Sequence, residues 1–394
     1  MPNPLRAEDN RASELPFSKK FIFSLIVILL YGLIFFALYF SSVYYRSNSI
    51  YAHLKSNSRD WKGSPHRADS ELGYAPIPNA TGAHVFPIGP DIPMRYDEFG
   101  FRVPVDSGSD RENSRPLLLA LGCSFTYGDA TYAEDTYPYL VGKLLHGTMQ
   151  NAGVCSYGLT QMLILARKLI PLHRPDYILV QYSPWLVERA TQKFASSYYG
   201  KLPVPYFYDS GNELKIRPPV FLTILGSLPF DRYRNTPRTI ADHVSFFWNV
   251  ALPLFIHDDV HMISYFLERL GGIAPRGSSR GDELTRYVYS EISKVAVENH
   301  CRMLIVILGR DVNPVRFTPD LFPSNAIVVN AHQKMLDELP HLDEEAYERT
   351  YMHWRGDPPV IVDRHPNEVA YKIIANEIVR RIREDLAAKE GPEP

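Results

Sequence analysis

The stretch "LLLALGCSFTYGD", Leu117 to Asp129, closes an apolar run on Gly122 and sets a serine, Ser124, almost directly behind it. A short apolar run bounded by glycine reads as a buried strand, and a strand that turns at once into a helix aims backbone N–H groups above the turn. Ser124 then stands where a hydroxyl attacks a carbonyl while main-chain donors receive the developing oxyanion. The alternative is a turn serine at the end of a core strand. The stretch is not the G-x-S-x-G elbow of α/β-hydrolases, because Thr126 occupies the position of that motif's second glycine.

Outward from this strand, apolar runs alternate with helical patterns. Strands are expected at Leu117–Leu121, Tyr177–Gln181 and Met303–Leu308, and helices at Tyr137–Leu145, Thr160–Ile170, Asp282–Glu298 and Asn367–Leu386. The last helix repeats Ala370, Ile374, Ile378 and Ile382 on one face. Such alternation predicts an α/β fold, a three-layer sandwich around a mostly parallel sheet. The pattern breaks between Arg189 and Arg280 into a stretch rich in proline and aromatic residues, read as an insertion (190–280) on a domain spanning 116–386, with a short tail at 387–394. Its aromatics, Tyr206, Phe207, Tyr208, Phe246, Phe247 and Trp248, suit sugar rings or acyl chains, and suit a hydrophobic core equally well. Its second apolar run, Val244–Ile256, is broken by Asn249 and Pro253 and is too short to span a bilayer.

At the other end, "FIFSLIVILLYGLIFFALYF", Phe21 to Phe40, carries no charge and has the length needed to cross a hydrocarbon core of roughly 30 Å. Lys19 and Lys20 precede it and Tyr44 and Tyr45 follow, which orients the N-terminus inward, although Arg46, Lys55, Arg59 and Lys62 also follow the span. A cleaved signal peptide has a shorter apolar core and a small-residue cleavage site. The expected order is a cytoplasmic tail (1–20), a transmembrane anchor (21–42) and a spacer with short extended segments (43–115), placing a single-pass protein in the cell membrane with its C-terminal domain outside the cytoplasm. "YDEFGFRVP", Tyr96 to Pro104, reads as an edge hairpin turning at Gly100.

Composition narrows the function. The chain has 394 residues, 45% hydrophobic and 22% charged, with a net charge of -2, so it lacks the electrostatic footprint of a nucleic-acid binder. Three cysteines, Cys123, Cys155 and Cys301, form neither a disulfide framework nor a CxxC zinc motif and read as small buried side chains. "HDDVH", His257 to His261, offers two histidines without a third ligand, so no metal and no cofactor is expected.

The stretch around Ser124 resembles the first block of the SGNH, or GDSL-type, hydrolases, in which the serine follows the first strand and a glycine comes four residues later. The resemblance implies a base and an orienting acid together before the last helix, and "VDRHPNEVAYKIIANEI" supplies Asp363 and His365 there. An imidazole that takes the serine proton, held by a carboxylate on its other nitrogen, is the chemistry such a nucleophile needs. Pro366 disfavours the α conformation for His365 and keeps it on a loop. The alternative is a capping aspartate beside a surface histidine.

The second family block resembles "NAGVCSYGLTQML", Asn151 to Leu163, but the donor glycine of the family falls on Ser156, with Gly158 two further on. Ser156 N–H serves as an oxyanion donor provided its backbone does not need positive φ, and Ser124 N–H and Gly158 are the companion donors the resemblance implies. The third block should bring an asparagine after "DYILVQYS"; Pro184 and Trp185 stand there instead, and Asn113, Asn249 and Asn330 lie elsewhere. Cys123 replaces the aspartate of the GDS form. The resemblance covers Pro116 to Leu386, apart from the insertion. It implies a serine acyl-ester hydrolase or O-acyltransferase acting on acylated carbohydrate, envelope polymer or lipid. A non-catalytic glycan-binding or assembly protein on the same scaffold is the alternative.

Overall fold

The computed structural model describes residues 17–59, 66–86, 88–106, 114–192, 194–197, 200–210, 213–219 and 277–390, with isolated positions (239–241, 244, 247–248, 252, 256 and 263) between 220 and 276. The chain divides into two units, one of residues 1–52 and 238–261 and the other of residues 53–237 and 262–394.

The first unit holds most of one long helix, α1 (Phe17–Arg59), whose segment Ser18–Tyr45 has a mean hydropathy of 2.9 over its most apolar window and is not buried. Phe21, Phe23, Ile28, Tyr31, Leu33 and Leu38 all stand exposed, which suits a membrane-spanning or signal segment. Within this unit the Trp248 ring lies 6.3 Å from Phe40, and Phe247 lies 5.9 Å from Tyr44. Phe246 and the pair His257 and His261 fall outside the described residues.

The second unit is built on an eight-stranded sheet. Its strands are β3 (Thr81–His84), β4 (Ile92–Tyr96), β5 (Arg102–Val103), β6 (Leu117–Leu121), β7 (Thr148–Asn151), β8 (Tyr177–Tyr182), β13 (Arg302–Ile307) and β14 (Ile327–Val329), in the spatial order β14-β13-β8-β6-β7-β5-β4-β3. Four antiparallel pairs stand apart from it: β1 (His66–Asp69) with β2 (Gly73–Pro76), β9 (Phe194–Ser197) with β10 (Gly200–Pro203), β11 (Tyr206–Ser210) with β12 (Glu213–Arg217), and β15 (His353–Arg355) with β16 (Val360–Asp363). The five strands from β14 to β7 are parallel, and β5, β4 and β3 extend the sheet antiparallel. Among the five, the first strand in sequence, β6, lies between the second, β7, and the third, β8. The C-terminal end of β6 is therefore the point where the topology reverses, the customary place for a ligand in a doubly wound sheet.

Helices cover both faces. On one, α3 (Tyr137–Leu144), α7 (Ala331–Asp337) and α8 (Glu344–Tyr351) pack with α9 (Glu368–Glu390); on the other, α4 (Leu159–His173) packs with α5 (Pro184–Ala190) and α6 (Gly277–Glu298). Parallel strands covered on both faces must be apolar throughout, and β8 and nearly all of β6 are buried. The repeat Ala370, Ile374, Ile378 and Ile382 is buried, so the expected face of α9 is its core face. The α/β class, the mostly parallel sheet and the apolar N-terminal helix agree with the reading of the sequence.

The stretch read as a spacer (43–115) has a larger part than its composition suggests. It does hold short extended segments, but β3, β4 and β5 among them belong to the main sheet. The expected hairpin is β4–β5, with Gly100 at φ +81 in its turn. Arg102 on β5 is only 1% exposed and carries its guanidinium under the turn that follows Ser124, where it donates to Tyr127 O (2.9 Å), Gly128 O and Thr131 O. In the inserted region, Phe207 belongs to the core and packs edge-on to Tyr287 at 5.9 Å, which is the core alternative for that aromatic.

Candidate active site

The strand β6 ends on Gly122, where a Cβ would lie 2.0 Å from Thr126 Oγ1 and 2.5 Å from Gln181 Oε1, so only glycine lets the chain turn this tightly. The chain then makes a single helical turn, α2 (Ser124–Tyr127), stopped by Gly128 in the left-handed region at φ +83. Thr126 and Tyr127 N–H groups close this turn on Cys123 O at 3.0 and 2.8 Å. By helix geometry the N–H groups of Ser124 and Phe125 have no partner inside the turn. Gln181 on β8 braces the arrangement: its Oε1 accepts from Cys123 N (3.0 Å) and Thr126 Oγ1 (2.9 Å), and its amide donates to Ser183 Oγ (2.9 Å). A glutamine inside the apolar run "YILVQY" was the available signal for this role, since a polar group in a fully buried strand must find partners.

Ser124 meets His365 across the fold. Its Oγ lies 2.9 Å from His365 Nε2, and His365 Nδ1 lies 2.6 Å from Asp363 Oδ1. Asp363 ends β16 and also accepts the His365 backbone N–H at 2.7 Å, a local turn that fixes the imidazole over its own carboxylate. Burial opposes the charge on Asp363, but hydrogen bonds from His365 and His84 outweigh it and hold the carboxyl far below its usual range. An ionised carboxylate only accepts, so Nδ1 carries the proton and Nε2 presents its lone pair to the serine hydroxyl. Burial lowers the basicity of His365, whereas Asp363 and then Asp129 raise it, with a net upward shift. Its side chain is 27% exposed, facing a cleft of ≈ 780 Å³ lined by Phe125, Arg310, Glu344, Met352 and Ile361 among others.

Two further residues complete the cluster, and the sequence reading gives a role to neither. His84, at the end of β3 and 7% exposed, places Nε2 3.2 Å from Asp363 Oδ2 and Nδ1 3.1 Å from Asp129 Oδ1. Asp129, which closes the opening motif, holds its other oxygen 3.4 Å from Cys155 Sγ and 3.9 Å from His365 Nε2. Burial works against a charge on His84, but the two carboxylates prevail and raise it to about 9. The same hydrogen bond from His84 lowers Asp129 against the effect of burial.

The oxyanion donors divide. Ser156 lies in the loop after β7 at φ +64, so the proviso on its backbone is not met: a serine holds the left-handed conformation that glycine adopts freely. Tyr74 Oη steadies that loop by donating to Cys155 O at 2.6 Å. Gly158 begins α4 in an extended conformation, and its N–H is already given to Gln161 Oε1 at 2.9 Å. Trp185, at the position of the missing asparagine, is 9% exposed and packs its ring 5.1 Å from Phe125, with Arg310 5.7 Å above it. All three cysteines are buried and stand outside any disulfide. Among the described residues no group of three metal-binding side chains occurs.

No family model matches the sequence, and no curated protein is significantly similar to it. Among solved structures, a lipolytic protein of the G-D-S-L family from Desulfitobacterium hafniense aligns at 11% identity and a TM-score of 0.34, covering 68% of this chain and 99% of that one. An acetylxylan esterase from Geobacillus stearothermophilus aligns at 12% identity and a TM-score of 0.34, covering 69% and 96%. An alpha/beta hydrolase enzyme from the metagenome of Lake Arreo aligns at 11% and 0.34, covering 68% and 95%. Likenesses this distant carry no argument about activity, which rests on the residues themselves.

Proposed function

We propose that the chain is a membrane-anchored serine acyl-ester hydrolase or O-acyltransferase of SGNH type, with Ser124 as nucleophile, His365 as general base and Asp363 as the acid that orients it. The observation that carries this reading is the continuous contact Ser124 Oγ–His365 Nε2–His365 Nδ1–Asp363 Oδ1, at 2.9 and 2.6 Å, between segments from opposite ends of the domain. In the first half-reaction Ser124 Oγ attacks the ester carbonyl carbon and its proton passes to His365 Nε2. The tetrahedral oxyanion is received by the N–H group of Ser124, which has no partner inside the turn of α2. The C–O bond to the alcohol breaks, the alcohol leaves with the proton from Nε2, and an acyl-serine remains. Water or an acceptor hydroxyl then gives its proton to Nε2 and attacks the acyl carbon, and the acyl C–Oγ bond breaks as Nε2 returns that proton to Ser124 Oγ. Hydrolysis and transfer differ only in that acceptor.

The substrate class is an acylated carbohydrate, envelope polymer or lipid, taken from the family resemblance. The lysines before the apolar segment and the tyrosines after it support an uncleaved single-pass anchor with the domain outside the cytoplasm. The rival reading, a binding or assembly protein, draws on Trp185 in place of an asparagine and on the committed N–H of Gly158.

A fluorophosphonate probe tests the chemistry before any substrate is known. The full chain in detergent should be labelled at Ser124. Ser124→Ala should abolish labelling, His365→Ala should reduce it nearly as far, and Asp363→Asn should give an intermediate loss through the wrong tautomer. An unlabelled wild type beside a folded, readily labelled Trp185→Asn variant transfers the argument to the binding-protein reading. If neither is labelled, the pairing of Ser124 with His365 is not a nucleophile and its base.

A further inference from the structure

His84 has no part in the proton path from Ser124, yet it lies buried beside it. Both of its ring nitrogens face carboxylate oxygens, Asp363 Oδ2 at 3.2 Å and Asp129 Oδ1 at 3.1 Å. A neutral imidazole has one N–H and cannot donate at both ends; an imidazolium can. The alternative, a proton on one of the carboxylates, is opposed by the low proton affinity of both. We propose that His84 is a positioning residue: a buried cation shared by Asp363 and Asp129 that clamps Asp363 onto His365 and cancels the second carboxylate, so that His365 holds a proton less tightly than two uncompensated carboxylates would make it. This rests on the reading of Ser124, His365 and Asp363 as the reacting groups.

The charge balance explains why both residues are needed. Asp363 alone orients His365 and stabilises its protonated form. Asp129 Oδ2, 3.9 Å from His365 Nε2, adds a second negative charge on the side from which the serine proton arrives. Two uncompensated carboxylates would load His365 with a proton before the reaction, leaving it unable to act as a base. The His84 cation between them returns the cluster to one net negative charge, which becomes zero when His365 takes the proton.

The other charged and titratable groups around His365 do not supply this cancellation. Cys123 is buried beside Ser124, and His353 on β15 is kept from protonating chiefly by burial, with its Nε2 facing Pro366 O at 3.2 Å. Arg102 lies under the turn, engaged by carbonyls. Arg310, Arg364, Asp311 and Glu344 line the cleft, two charges of each sign, and Arg364 pairs with Glu348. The edge of Phe86 meets His84 at a ring distance of 4.8 Å and closes its remaining side with an apolar face.

Histidine ring NMR on the full chain in detergent reads the proposal without requiring activity. The chain has 13 histidines, so His84 and His365 are assigned by single replacement. In the wild type both His84 ring nitrogens should carry protons at pH 7. His84→Gln should move the titration midpoint of His365 up by about one pH unit or more, Asp129→Asn should move it down, and the double variant should return it close to the wild-type value. A purely structural role for His84 lowers stability and leaves the His365 midpoint in place. A neutral His84 ring, an unmoved midpoint, or shifts of the same sign in the two single variants overturns the proposal; if His84→Gln does not fold, the wild-type ring and Asp129→Asn still decide it. Fluorophosphonate labelling of the same samples separates the two claims. An unlabelled wild type defeats the enzymatic reading, whereas the NMR midpoints judge the clamp.

Discussion

Two segments from opposite ends of the domain deliver a histidine to the same carboxylate. The loop behind β16 brings His365 to Asp363 Oδ1, and the strand β3 brings His84 to Asp363 Oδ2. The first is visible in the sequence and the second is not, and the difference is one of locality. Asp363 and His365 are two residues apart, before a proline and a helix, so their mutual contact is a short-range property of the chain. His84 lies in "TGAHVF", within a stretch whose composition reads as spacer, and both of its partners are remote in sequence. Local pattern reports what a residue does to its neighbours; it does not report a pairing that exists only once β3 has joined the sheet.

The same distinction runs through the fold. β6 occupies the span expected for it, and β8 and β13 match theirs to within a residue at each end, because a strand buried on both faces is an unbroken apolar run. The core face of α9 follows from its own period. By contrast β3, β4 and β5 are short, and polar or half-exposed along much of their length, so nothing in their pattern announces that they extend a parallel sheet by three strands. At the site, Ser124, His365 and Asp363 could be named from position and type. The state of the oxyanion donors could not, because it depends on one backbone dihedral at Ser156 and one hydrogen bond at Gly158.

The largest test of this comparison is Arg102, which ties the stretch read as a spacer to the turn that follows Ser124. Arg102→Met keeps a side chain of similar length and leaves the carbonyls of Tyr127, Gly128 and Thr131 without their buried donor. An unsatisfied buried polar group costs about 1 to 3 kcal/mol, and Asn151 and Thr131 offer only partial substitutes, so a loss of about 3 kcal/mol or more is expected. Chemical denaturation should show it, together with slower labelling of Ser124. A variant as stable and as reactive as the wild type would return this segment to the status of a linker.

The charge cluster predicts a stability profile that sharpens the comparison further. His84 is raised from about 6.5 to about 9 and His365 is raised as well, so the folded chain keeps protons that the unfolded chain has released across this range. Their stabilisation is complete below about pH 6.5 and is lost as the pH climbs through the folded values, on the order of a few kcal/mol in total. Asp129 and Asp363 are lowered, so their contribution is present above their ordinary value near 3.9 and is lost as the pH falls below it. Stability should therefore be greatest between about pH 4 and 6.5. The double variant His84→Gln/Asp129→Asn, which retains only the share of His365, should fall less steeply on the alkaline side. A wild type that gains stability between pH 6.5 and 9 would contradict the cationic His84.

The smallest expected effect separates folding of the N-terminal segment from its service to the site. Gly100 holds φ +81 in the β4–β5 turn, its N–H given to Asp97 O at 3.0 Å, and an added Cβ would stand 3.3 Å from Pro76 O. Gly100→Ala should cost about 1 to 2 kcal/mol, the usual penalty for an L-residue in the left-handed region, since the nearest atom is backbone and gives little. The turn adjoins the register pair Tyr96–Arg102 that closes the hairpin, and the pair Arg95–Val103 behind it keeps β5 in register, so Arg102 still reaches the turn that follows Ser124. Labelling of Ser124 by the fluorophosphonate at pH 7 should keep its wild-type rate while the denaturation midpoint drops. If the rate falls in proportion to stability, the hairpin and the turn that follows Ser124 open together, and β3 to β5 are one cooperative unit with the candidate site rather than a brace beside it.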